Sequence, residues 1–175
     1  MGKKIGAPRK YNRYILKENY GVGFTNKGQE FYFDLEDFDK IKSYCWVLHK
    51  SRWGYYVEAR DIKNKNSKTL KMHRLVMNAE IDKKIDHINR ITVNNQKSNL
   101  RIVGDLENQH NRGERKDNKT GRNGVMFRKD TEKYRVRIGL NYKEISVGQY
   151  DTLEGAIVAR KNAEIKYYGE YARID

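Results

Sequence analysis

Asp86 and His87 stand side by side in the stretch IDHINRITVNNQKSNLRIV, which runs from Ile85 to Val103. An aspartate offers hard oxygen ligands, and a histidine titrates close enough to neutrality to serve as a general base. Neighbours on a strand point to opposite faces, so the two can do different work. Further on, Asp105 is a good N-cap for a helix starting at Leu106-Glu107-Asn108, which puts Asn108 in the first turn. Two strands and this helix make a ββα unit, and a helix lying across the hairpin brings Asn108 back toward Asp86. One charged and one neutral oxygen then suit a hard, weakly held cation, Mg²⁺ or Mn²⁺, with phosphate and water completing the shell. The chemistry is metal-assisted phosphodiester hydrolysis. His87 activates water, and the cation binds the scissile phosphate and stabilises the leaving oxygen. His110 is the rival for the last ligand. It lies about 200° round a helix from Asn108, so both cannot face the site, and spacing favours Asn108.

The elements that must position these groups fall into three regions. The first, residues 1–72, begins with a loose basic tail to about Arg13 and continues as a small antiparallel β unit. Phe31-Tyr32-Phe33 reads as a strand, LEDFDKI as a short helix, and Cys45-Trp46-Val47-Leu48, Gly54–Arg60 and Thr69–Met72 as further strands. KNKN at 63–66 reads as a hairpin loop, and Cys45 as a core residue. The second region, 73–112, holds a short helix over His73–Met77, the Asp-His stretch, a strand over Asn99–Val103, and the helix carrying Asn108. Residues 113–121 have no large apolar side chain and suit a linker.

The third region, 122–175, reads strand, strand, strand, helix. Tyr134, Val136 and Ile138 alternate with Arg135, Arg137 and Gly139, giving one apolar and one basic face. Ile145 and Val147 alternate with Glu144 and Ser146 on the third strand. Gly148 and Asp151-Thr152 close the sheet and cap a helix from about Leu153 to Tyr167 or Tyr168. Ala156, Ala159 and Ala163 share the helix face that sits on the sheet, and Gly169 ends it.

Lys plus Arg number 37 against 23 Asp plus Glu, a formal net charge of +14. Such a surface gathers polyanions, and double-stranded DNA is the leading partner. An anionic membrane ranks lower, since no stretch approaches the ~20 apolar residues a spanning helix needs. The N-terminus lacks the apolar segment of a signal peptide. Cys45 is the single cysteine, which excludes an intrachain disulfide and a multi-cysteine zinc site and points to a reducing, intracellular setting.

The series M-H-R-L-V-M…D-H-I-N…N-N…N-L-R-I-V…E-N-Q-H-N resembles the HNH nuclease domain of phage and intron homing endonucleases. The resemblance implies that Asp86 and Asn108 hold the metal, His87 is the base, and Asn99 is structural, its amide tying the hairpin loop to the strand. Asn94 and Asn95 would brace the same loop. Arg74 and Arg90 become candidates for phosphate contact, and His73 for a packing role near the hairpin. The chain departs from the family where a glycine usually follows the Asn or Asp after His-Ile: here it is Arg90. The third region, from about Gly121 to Ile174, resembles the AP2 DNA-binding domain found appended to such nucleases. That likeness rests on Gly124-Val125, Lys133-Tyr134, Val147–Thr152, the alanine-bearing helix and Gly169–Ala172. It implies that Arg128, Arg135 and Arg137 face the major groove.

The expected architecture is therefore α+β in three modules: a small antiparallel β unit, a ββα-metal motif, and a three-stranded sheet with one helix. The expected activity is DNA endonuclease of the homing type, site-specific, nicking if one chain acts alone, with a dimer left open. The rival expectation is a DNA-binding regulator carrying an inactive HNH remnant.

Overall fold

The computed structural model describes residues 11–52, 54–60, 69–104 and 118–173. Residues 1–10, the KNKN loop, both candidate ligands Asn108 and His110 with the helix expected to carry them, and most of the expected linker lie outside these segments. The chain is α+β, built from small, mostly antiparallel sheets. It divides into two compact units, Met1–Ile102 and Val103–Asp175.

The first unit opens with a three-stranded sheet of β1 (Arg13–Leu16), β2 (Gly21–Phe24) and β3 (Glu30–Phe33). The glycines of GVGF give no strand signal in the sequence, yet they are what lets this sheet close. Gly21 pairs with Phe33 and Gly23 with Phe31. A Cβ at either glycine would lie 2.2 Å or 2.1 Å from the facing ring. The outer ends of the phenyl rings thus cover bare backbone and fill the space a side chain would take. Asn12 is also built into the fold, against the expectation of a loose tail to Arg13. Its amide donates to the carbonyls of Trp46 (2.9 Å) and Phe24 (3.0 Å), and its Oδ1 accepts from the Trp46 N–H (2.6 Å).

A 3-10 turn, Leu35–Asp37, and the one-turn α1 (Phe38–Ile41) follow, then a second sheet of β4 (Val47–Ser51), β5 (Gly54–Arg60) and β6 (Thr69–Lys71). Trp46 precedes β4 instead of lying in it, because its indole is needed in the core, where Nε1 donates to the Ile41 carbonyl at 2.8 Å. Cys45, expected in the core, is half-buried. Met72 likewise leaves the strand and begins α2 (Met72–Val76). The hairpin comes last: β7 (Lys84–His87) pairs with β8 (Leu100–Val103) after a 3-10 turn at Lys97–Asn99.

One core serves all these pieces. Phe31, Phe33, Ile41, Trp46, Val57, Met72, Val76 and Leu100 are buried together, with Ile85 and Val93 of the hairpin packed against them. The first region of the sequence and the hairpin of the second are therefore a single packed body, in which the β unit is the floor of the hairpin.

The second unit is the sheet β9 (Val125–Arg128), β10 (Lys133–Leu140) and β11 (Lys143–Tyr150), ordered β11-β10-β9, with α3 (Leu153–Tyr168). Thr152 caps α3 by accepting from the Gly155 N–H at 3.1 Å. Ala156 and Ala163 are buried on the sheet side, whereas Ala159 is only half-buried. Beside them the helix buries Arg160 and Glu164, which the alanine pattern did not foretell. Glu164 pairs with Arg122 and, at 3.0 Å, with Arg160, whose Nη1 donates to the Arg137 carbonyl at 2.9 Å. Gly148 does not close the sheet as expected. It lies inside β11 with φ 156, where the register of β10 on β11 shifts. Val136 faces Gly148 and Arg137 faces Ser146, so Val147 is an extra residue. Such a bulge reverses the inside-outside alternation beyond it.

Candidate active site

Alternation along β7 sends Asp86 and His87 to opposite sides. Asp86 meets Arg101 of β8, whose Nη2 and Nε both donate to Oδ2, at 2.8 Å and 3.1 Å. His87 turns inward and is 4% exposed. It is enclosed by other side chains. Its ring lies 5.2 Å from that of His73, at an interplanar angle of 83°, and 6.0 Å from that of Tyr56. Tyr56 and His73 are 5.7 Å apart, so the three rings close on one another. Nε2 of His87 lies 3.5 Å from Oδ1 of Asn95, a side chain with no solvent exposure. The tautomer with its proton on Nε2 gives that oxygen a donor and places the lone pair on Nδ1.

Burial dominates the electrostatics. It pushes the His87 pKa below the usual histidine value, with Asn95 and the Asp86 charge acting weakly the other way. His73 is pushed further, to about 3, first by burial and then by the positive charge that His87, Lys71 and Arg74 can carry. Its Nδ1 is buried and, among the described residues, has no hydrogen-bond partner. Tyr56 is raised by burial and by the nearby Asp86 carboxylate. Both histidines are thus neutral at neutral pH, and a neutral imidazole is the form that can accept a proton.

The amides of the Asp-His stretch hold the loop between the strands. Asn99 is the central clasp: Oδ1 accepts from the Asn89 N–H at 3.0 Å, and Nδ2 donates to the Asn94 carbonyl at 2.9 Å. Asn94 accepts from the Gln96 N–H, Asn95 donates to the Val93 carbonyl, and Asn89 accepts from the Ile91 N–H. The loop is then fastened to β3, since the Tyr32 N–H donates to Val93 and the Asn95 N–H donates to Tyr32. Arg90 takes φ 62, the left-handed conformation that glycine adopts without strain. The backbone at this position therefore keeps the turn a glycine would make, with an arginine in it.

Arg74, a candidate for phosphate contact, donates from its guanidinium to the carbonyls of Lys83 (2.7 Å), Ala79 (3.4 Å) and Glu80, and so braces the loop leading into β7. On the C-terminal sheet, Arg128 is paired with Asp130 and Arg137 with Glu144 (2.5 Å). Arg135 stands opposite Met126 on one side and Gln149 on the other. Gln149 joins the outward row because of the bulge, and the glycine inside the strand was its sequence signal. Tyr56 was missed altogether. In the sequence it is one aromatic of a strand, and nothing local connects it to His87.

A divalent cation can be tested against the donors that are described. The Asp86 carboxylate is the right hard ligand; its side chain is 13% exposed, and it already shares one oxygen with Arg101. That fits an ion bound weakly and with substrate. Among the described residues, Asp34, Glu36 and Asp37 also gather carboxylate oxygens within 4.8 Å of one another. There, however, the Lys97 ammonium already bridges Glu36 and Asp37, and Lys40 pairs with Asp37 at 2.9 Å. Lysine supplies the counter-charge and ties the hairpin to the 3-10 turn. Among the described residues no helix is long and apolar enough to cross a membrane.

No family model matches the chain, and neither a curated protein nor a solved structure matches it.

Proposed function

We propose that the chain is a DNA endonuclease of the HNH type that hydrolyses phosphodiester bonds with one divalent cation. The observation that carries this reading is the division of labour on β7: a partly buried carboxylate at Asp86, held by Arg101, and, on the next residue and the opposite side, a neutral enclosed imidazole at His87. His87 takes the proton of the attacking water, and the Tyr56–His73 rings and Asn95 fix its plane, which removes the rotational freedom a lone surface histidine would have. Asp86, with Asn108, would hold Mg²⁺ or Mn²⁺, which when bound supplies positive charge against the leaving oxygen. Asn99 keeps both groups on one rigid hairpin.

The C-terminal sheet supports double-stranded DNA as the substrate. Its outward face carries Lys133, Arg135, Arg137 and Arg128, and Arg128 and Arg137 sit in exposed ion pairs. Such pairs gain little from attraction screened by water, so exchanging a carboxylate for a phosphate costs little. One such centre per chain makes a nick the expected product of a single encounter.

A second reading has its own observation. The near-complete burial of His87 and the pinning of Asp86 by Arg101 also describe a hairpin kept only as scaffold in a DNA-binding regulator. Incubating a supercoiled library plasmid with Mg²⁺, and sequencing the ends, separates the two. Wild type should give discrete cuts, and His87→Ala should lower the rate by about 10²–10⁴-fold, the usual worth of a general base. Tight binding without metal-dependent cutting would select the regulator.

A further inference from the structure

Tyr56 and Lys71 come from the β5–β6 pair, outside the hairpin. Tyr56 packs on both histidines, and its side chain is half-buried. Among the described residues its hydroxyl has no hydrogen-bond partner. The exposed Lys71 ammonium lies 5.5 Å from the Tyr56 ring centroid and, among the described residues, forms no ion pair. Its charge is felt by His73, which places it close to the cluster. On the far side, Arg101 is already engaged with Asp86. An O–H donor and an unpaired cation stacked on the same ring are what a phosphate oxygen needs from a protein: a directional donor and a counter-charge.

We propose that Tyr56 and Lys71 together grip a backbone phosphate of the bound DNA strand beside the one presented to His87. This rests on the nuclease reading for its purpose, but its test reads binding alone. The probe is a short random-sequence duplex in EDTA, titrated at several salt concentrations, with thermal melting as the control for folding. Lys71→Gln should weaken binding and lower the salt slope by about one, the signature of a lost phosphate contact. Tyr56→Phe keeps the ring and should weaken binding about tenfold at an unchanged slope, since a neutral donor releases no counter-ion. Lys71→Arg should restore the slope. Wild-type affinity and slope in either variant would overturn the pairing. So would an equal loss from Lys27→Gln in the β2–β3 turn, which would mark a general charge effect. These outcomes hold whether or not the wild-type protein cuts DNA. A protein that binds as described and never cleaves would overturn the nuclease reading alone.

Discussion

His73 shows how much a single buried nitrogen can disclose. A polar atom buried without a partner costs about 1–3 kcal/mol, and the fold tolerates it next to the residue read as the base. The same burial makes stability depend on pH. In the unfolded chain His73 titrates near its ordinary 6.5, and in the fold near 3, so between these values the unfolded state binds a proton that the native state refuses. Its contribution is complete above pH 6.5 and is lost progressively as pH falls toward 3. Urea unfolding should therefore show stability declining with acidification from pH 6.5. His73→Phe, which keeps a ring and removes the titration, should flatten that decline, with His87 supplying what remains. A decline of the same steepness in the variant would show that His73 is not the group responsible.

Elements are decided here by contacts the local sequence does not advertise. RYIL and GVGF become β1 and β2 because Phe31 and Phe33 need bare backbone beneath their rings. Gly23→Ala would drive a methyl group into the Phe31 ring, and overpacking of this kind should cost about 1–3 kcal/mol in the denaturation midpoint. Substituting Lys27, in the neighbouring turn, should cost nearly nothing. An alanine variant as stable as wild type would mean the sheet can open without loss. The hairpin was far more legible. Asp86, His87 and Asn99 are close in sequence, and their placement depends on strand alternation and one loop. The turn at Asn89-Arg90 keeps its left-handed φ although the residue there is not glycine. The bulge in β11 was less legible, since a glycine in a strand admits several explanations.

At the scale of the whole molecule, the two units hold themselves together differently. The first relies on one aromatic-rich core shared by two sheets and the hairpin. The second has two small apolar clusters, and between them α3 buries Glu164 against Arg122 and Arg160. Removing one partner of a buried ion network leaves uncompensated charge, so Glu164→Ala should destabilise the C-terminal unit by about 3–5 kcal/mol. Hydrogen exchange should register the loss in β9–β11 and α3, with protection of the β1–β3 sheet retained. Retained protection in α3 would show that the two arginines find other partners. A net charge of +14 also makes any DNA binding strongly salt-dependent, since each neutralised phosphate releases counter-ions.

The sequence by itself determined the local parts. Alternation set the faces of β7 and β10, Thr152 and Gly169 bounded the last helix, and the amides between Asn89 and Asn99 marked a braced loop. Each is a short-range matter of backbone geometry and hydrogen bonding, readable within a dozen residues. Only the tertiary structure decided what surrounds His87. Tyr56 and His73 reach it from other elements, and a side chain's burial, and with it its charge state, depends on neighbours that no local pattern names. For the same reason no local pattern announced Arg74 as a brace. Its guanidinium meets three carbonyls, an arrangement that exists only once the loop before β7 has closed on α2.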